Sequence, residues 1–180
     1  MKNLILVISN KNSTCSDFFY NTLISHKNIQ KVKINTYDKA DKYFIAKNTK
    51  PDYLKNPKFY CEKLDYDYQL SFKPFLKHFI FFFVIDKPKN IIKTKDDDNY
   101  FVLRLRRMYE LIIKTKGRNK VFFDQEVYEN KTYEICRSFL KIKDGFKLKN
   151  YEKEETSKYI RNQITEDFYD NYKSKITKYL

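Results

Sequence analysis

Three short, uninterrupted apolar runs are the feature that most narrows the folds open to this chain. They are residues 4–8, Phe79–Ile85 and residues 121–123. Strands that are buried on both faces carry such runs, whereas strands with one wet face alternate apolar and polar residues. Each run is much too short to cross a bilayer as a helix. The runs therefore predict strands of a parallel sheet that is covered on both faces.

Amphipathic stretches separate these runs and predict helices that cover the sheet. The clearest is residues 100–116, with Leu105, Met108 and Ile112 on one face and Gly117 directly after it, where a helix commonly ends. Further helices are predicted around Phe18, Phe19, Leu23 and Ile24, over residues 132–140 with Ile135, Cys136, Phe139 and Leu140 inward, and from a cap at Thr165 to the C-terminus. Alternating strands and helices predict an α/β fold in three αβα layers with a mainly parallel sheet.

The remaining segments have weaker patterns. Residues 31–35 alternate and predict a strand, and residues 43–46 are interpreted as another. Residues 47–57 contain two prolines and two asparagines, which indicates a loop or a helix start. Residues 59–70 are ambiguous, and helix is the preferred interpretation. A chain of 180 residues fits one domain, so residues 1–180 are assigned to a single α/β domain.

Charge and cysteine content limit the classes of function. The net charge is +14, and it comes from residues 1–58 and 101–150, which a polyanionic ligand would bridge. General solubility is the alternative explanation of this excess. Three cysteines without C-x-x-C spacing predict no disulfide framework or zinc site, and reduced thiols fit the cytoplasm. Two isolated histidines offer no metal site, so no metal and no membrane span are expected.

The loop after the first strand is the main candidate for chemistry. Backbone N–H groups at a helix start bind phosphate, and the phosphate-loop pattern adds two glycines, a lysine and a Ser/Thr. On this pattern Ser9 and Thr14 take the glycine places, Cys15 the lysine place and Ser16 the Ser/Thr place. An ordinary turn capped by Ser13 or Ser16 is the competing interpretation.

The stretch Asn12-Ser13-Thr14-Cys15-Ser16, with Lys11 before it, resembles the loop of the P-loop sulfotransferases, in which Thr or Ser replaces the lysine. This resemblance implies a P-loop NTPase-like fold. It also implies that Lys11, Asn12, Ser13, Thr14, Cys15 and Ser16 bind the phosphosulfate end of the donor PAPS (3′-phosphoadenylyl sulfate).

Two later segments are similar to the same family. Residues 50–54 look like the family's stretch near the acceptor, with Lys47 as the competing start, so Lys47 or Lys50 is implied as the catalytic cation. Residues 81–94 resemble the segment that holds the 3′-phosphate of PAPS, which implies Lys87, Lys89 and Thr94 as cofactor-binding residues. Asp86, however, occupies the place of the family's first arginine, a reversal of charge.

The resemblance implies transfer of a sulfuryl group from PAPS to a hydroxyl or amine acceptor, or a degenerate member that lost the chemistry. The general base has no clear match, and Asp52 and Glu62 are the candidates. A P-loop nucleoside or nucleotide kinase is the alternative, with residues 100–116 as a lid helix carrying Arg104 and Arg107. A basic nucleic-acid-binding module is a third hypothesis. It is not favoured because the basic residues are not concentrated in a recognisable nucleic-acid-binding motif.

Overall fold

A computed structural model describes residues 3–9, 13–31, 59–65, 79–87, 98–143, 145–148 and 163–178. Its centre is a parallel sheet of five strands in the order β2-β3-β1-β4-β5. The strands are β1 (Asn3–Ser9), β2 (Ile29–Lys31), β3 (Phe59–Asp65), β4 (Phe79–Ile85) and β5 (Asn119–Phe123). The α/β class and the parallel sheet predicted from the apolar runs are therefore confirmed.

Helices cover both faces of this sheet. They are α1 (Thr14–Ile24), α2 (Asp98–Lys114), α3 (Asn130–Leu140) and α4 (Gln163–Thr177). Alternate residues of β1 and β4 point to opposite faces, so each face has its own core. Helices α2 and α4 pack on one face against Phe81 and Phe83, and α1 and α3 pack on the other against Phe82. Apolar residues on every position of β4 are needed because both faces are buried.

Local sequence explains where the helices end. Ser13 caps α1, and Gly117 adopts a positive φ of 81° in the turn between α2 and β5, where glycine avoids the steric cost of a side chain. The predicted ends of α2 are two residues too late. Helix α3 ends at Leu140, and the next residue, Lys141, has φ 52° although it is not glycine. The hydrogen bonds of that turn are made all the same, since the N–H of Ile142 donates to the Arg137 carbonyl.

Three expectations are wrong and one is displaced. Residues 59–65 form strand β3 instead of a helix, because pairing with β1 and β2 decides the conformation of an ambiguous segment. Ile135 is 37% exposed, and Tyr133 is buried in its stead. Thr165 lies inside α4, whose first residue is Gln163, so it is not the cap. The second strand begins at Ile29, two residues before the predicted start.

Other expectations fall on residues that the structure leaves undescribed. These are the strand at residues 43–46, the loop at residues 47–57 and the end of the second predicted strand.

Candidate functional site at the switch point of the sheet

Strand β1 lies at the point where the chain changes its direction of winding. From β1 the chain passes through α1 to β2 on one side, and from β4 it passes through α2 to β5 on the other side. Helices α1 and α2 lie on opposite faces. In open α/β sheets, ligands bind in the crevice that this reversal opens at the carboxyl ends of the strands. The ends of β1 and β4 are therefore the expected ligand position.

Ser9, the last residue of β1, lies at the carboxyl end of the sheet where this crevice is expected. It is paired in register with Val84 of β4 and is fully buried. Strand alternation puts its side chain on the α1 face, together with Ile5 and Val7. The Ser9 Oγ atom has no hydrogen-bond partner among the described residues. A buried hydroxyl without a partner costs about 1–3 kcal/mol, so such a group needs an explanation, and a ligand is one.

The start of α1 is built by two serines. The Ser16 N–H donates to Ser13 Oγ at 3.0 Å, and Ser16 Oγ donates to the Ser13 carbonyl at 2.9 Å. The Asp17 N–H donates to the same carbonyl at 3.2 Å. Ser13 is therefore a helix cap, as the competing interpretation holds. Helix geometry still gives the amides of Thr14 and Cys15 no acceptor within α1, and the partial positive charge of the helix start remains.

The Cys15 thiol makes its contacts within the core. Tyr128 Oη donates to Cys15 Sγ at 3.3 Å, and the Tyr128 ring packs on Phe18 at 4.8 Å between centroids. The side chain in the lysine place of the phosphate loop is thus a buried thiol within the core. Any contribution of Cys15 to anion binding falls to its backbone N–H.

Asp86 and Lys87 directly follow β4 and lie at the carboxyl end of the sheet, where β1 also ends. Asp86 is fully buried, whereas Lys87 is partly exposed. Val84 is the β4 residue paired with Ser9, and Asp86 follows it two residues later in the chain. Asp86 is therefore further toward the carboxyl end of the sheet than Ser9. A carboxylate here disfavours a second phosphate nearby and suits a cation.

The structure brings Ser13, Thr14, Cys15, Ser16 and Lys87 to one edge of the sheet. Six predicted site residues lie outside the described part of the chain: Lys11, Asn12, Lys47, Lys50, Lys89 and Thr94. Asp52 is also outside it, and Glu62 lies within β3 opposite Leu6. Ser9 takes a glycine place in the phosphate-loop pattern, and the sequence alone does not identify it as a ligand. Only the folded structure shows that its hydroxyl is buried and has no hydrogen-bond partner among the described residues.

Helix α2 does not have the position of a lid. Leu105, Met108 and Ile112 are buried against the sheet in the core shared with α4. The Arg106 guanidinium lies over the Phe168 ring at 5.6 Å. This packing in the core differs from the lid helix that the kinase alternative expects to carry Arg104 and Arg107.

Among the described residues, no group of three or more His, Cys, Asp and Glu is arranged to hold a metal ion. In the same part of the chain no helix combines the length and apolar content that a membrane crossing requires. Family models, curated proteins and solved structures all failed to give a match to this chain. The site must therefore be interpreted from its own geometry.

Proposed function

We propose that this protein binds the phosphate groups of a nucleotide at the switch point, in a P-loop NTPase-like arrangement, and that it transfers a sulfuryl group from PAPS to a hydroxyl or amine acceptor. The observation that carries the proposal is the buried Ser9 hydroxyl, which has no partner among the described residues and lies at the edge where α1 begins. A donor phosphate there would accept from Ser9 Oγ and from the first amides of α1.

Sulfuryl transfer needs little from the protein beyond positioning and charge. The acceptor oxygen or nitrogen forms a bond to sulfur and gives its proton to a general base, for which Asp52 and Glu62 are the candidates. The bond from sulfur to the donor's phosphate oxygen breaks, and adenosine 3′,5′-bisphosphate leaves with the electron pair. Donors that are fixed before the reaction stabilise the charge that develops on the leaving oxygen. In our proposal the start of α1 and Ser9 supply these donors, and Lys47 or Lys50 adds a cation. Lys87, Lys89 and Thr94 hold the 3′-phosphate, and the two lysines have to offset the charge of the neighbouring Asp86.

A nucleotide kinase is the second candidate, and the position of Asp86 favours it. In phosphate-loop kinases Mg²⁺ is held by the Ser/Thr of the loop and by an Asp at the end of a strand. Ser16 is in the loop position, and the fully buried Asp86 ends β4 next to β1. The buried thiol of Cys15 in the lysine place counts against this candidate, because that lysine neutralises the transferred phosphate.

Thermal unfolding with different nucleotides separates the two candidates. At 100 times its dissociation constant a ligand stabilises the native state by about 2.7 kcal/mol, or roughly 5–10 °C for a chain of this size. We expect adenosine 3′,5′-bisphosphate to raise the melting temperature without metal. A rise only with ATP and Mg²⁺ identifies a kinase, and no rise with either refutes the nucleotide site.

The Ser9→Ala variant tests which residue is responsible. Without ligand it should melt at or above the wild-type temperature, because the substitution removes a buried hydroxyl that has no hydrogen-bond partner among the described residues. With ligand it should lose most of the shift. Ser174→Ala, on an exposed position of α4, is the matched control and should keep the full shift.

A further inference from the structure

Six basic residues lie on β5, on α3 and in the segments next to them, toward the amino-terminal ends of the strands. Ser9 lies at the opposite, carboxyl end of the strands. We call the six residues the α3 basic strip: Arg118, Lys120, Arg137, Lys141, Lys143 and Lys147. Five are exposed, and Lys120 is half-buried with its Nζ 5.2 Å from the centre of the Phe139 ring. Phe146, which lies next to Lys147 in the chain, packs on His26 with 4.9 Å between ring centroids.

The positive charge of the strip is not neutralised by neighbouring carboxylates in the described structure. None of its six members makes an ion pair with a described residue, in contrast to Lys114, which pairs with Glu110 at 3.9 Å. Residues 137–143 and 145–148 contain no acidic residue. Asp144, between them, lies outside the described residues.

The end of α3 does not need this many cations for its own stability. The helix dipole places only about half a negative charge at a C-terminus. The last carbonyls are already bonded, since the Lys141 N–H donates to Ser138 and the Ile142 N–H to Arg137. Lys141 also has φ 52°, a backbone conformation that costs a non-glycine residue about 1–2 kcal/mol. Capping therefore explains only a small part of the charge.

Two aromatic residues, Phe139 and Phe146, alternate with these basic residues along the chain. Phe139 and Phe146 are both partly buried residues at the margin of the core on this face of the sheet. Proteins that bind single-stranded nucleic acid combine a basic groove with aromatic platforms on which bases stack. Aromatic rings also occur in protein interfaces, so competition between polyglutamate and an oligonucleotide has to separate an acidic protein from a nucleic acid.

We propose that the α3 basic strip binds the backbone of a single-stranded nucleic acid, with Phe146 as a stacking platform. The surface is separate from the nucleotide site, because α3 ends near the start of β5 and the Ser9 site lies where β1 ends. A polymer that occupies the strip leaves the switch point open. Binding at the two sites is independent.

Fluorescence anisotropy with a labelled oligothymidylate of about 20 nucleotides tests this proposal. If four of the six bases contact phosphates, affinity should fall roughly 50-fold between about 50 and 200 mM salt. Lys143→Glu with Lys147→Glu should weaken binding at least tenfold. Lys175→Glu with Lys178→Glu reverses the same number of exposed charges on α4 and is the control, which should retain most of the affinity.

Lys141→Gly removes one charge of the strip while relieving its backbone. It should weaken oligonucleotide binding without lowering the melting temperature, which excludes misfolding as the cause. Equal losses in the strip and α4 double variants overturn the location. Displacement of the oligonucleotide by polyglutamate as readily as by unlabelled oligonucleotide overturns the assignment to nucleic acid. Competition by adenosine 3′,5′-bisphosphate contradicts the independence of the two sites.

Discussion

Ser9 and Ser13 are both fully buried at one corner of the sheet, but their hydroxyls have different surroundings. Ser13 Oγ accepts the Ser16 N–H and so completes α1, whereas Ser9 Oγ has no partner in the described structure. A motif comparison treats both as substitutes for the residues of a phosphate loop. The hydrogen bonds separate a structural serine from a candidate ligand.

Tyr133 shows how burial couples a single residue to stability. Burial raises the pKa of Tyr133 well above its ordinary value, the hydrogen bond with Thr22 lowers it in part, and Cys136 adds to the rise. Its hydroxyl donates to the Val127 carbonyl at 2.7 Å. The folded state therefore holds this proton more tightly than the unfolded state does.

The pH dependence of stability follows from this difference. The contribution of Tyr133 is complete below about pH 10, where the unfolded chain is still protonated, and is lost as the pH rises above that value. Urea unfolding measured from pH 8 upward should show no loss from Tyr133 up to about pH 10 and, above that pH, a loss of about 1.4 kcal/mol per pH unit for one proton. Tyr133→Phe should reduce this slope and should cost about 1–2 kcal/mol at neutral pH, because the Val127 carbonyl loses its donor. An unchanged alkaline slope in the variant contradicts this account.

At the scale of elements, strong periodicity predicted the strands and helices well and weak periodicity did not. Strand β4 and helix α2 were predictable because an unbroken apolar run and a clear amphipathic face each have one interpretation. Strand β3 was not, because its pairing with β1 and β2 involves residues far away in the chain. Helix α3 was placed correctly, but Ile135 was assigned to the wrong face, since Tyr133 reaches the core with its hydroxyl on Val127.

The end of α3 offers a prediction at this scale. Lys141 is the only non-glycine residue with positive φ in the described part of the chain. Lys141→Gly should raise the free energy of unfolding by up to about 1 kcal/mol, because glycine adopts this conformation without a steric penalty. Lys143→Gly is the control and should give no gain, since its φ is not positive. Chemical denaturation of both variants measures the difference, and a loss of stability in Lys141→Gly refutes it.

At the scale of the whole molecule, the sequence indicated where in the sheet the candidate site lies, but it indicated only some of the residues that form the site. A βα turn after the first buried strand indicated the edge where a ligand would bind, and the switch point confirms that β1 and β4 meet there. Motif spacing could not show that Cys15 faces Tyr128 or that Asp86 is buried, because both depend on packing between distant segments. The two proposed binding surfaces lie toward opposite ends of the strands.

Amide chemical shifts during a titration with adenosine 3′,5′-bisphosphate test the central claim most directly. Backbone N–H groups at the start of α1 and the end of β1 should bind the ligand, so the signals of Ser9, Thr14, Cys15 and Lys87 should move and saturate together. Signals of the α3 basic strip should stay in place, which serves as the internal control. Saturable shifts confined to other residues, or no shifts at all, would contradict a nucleotide site at the switch point.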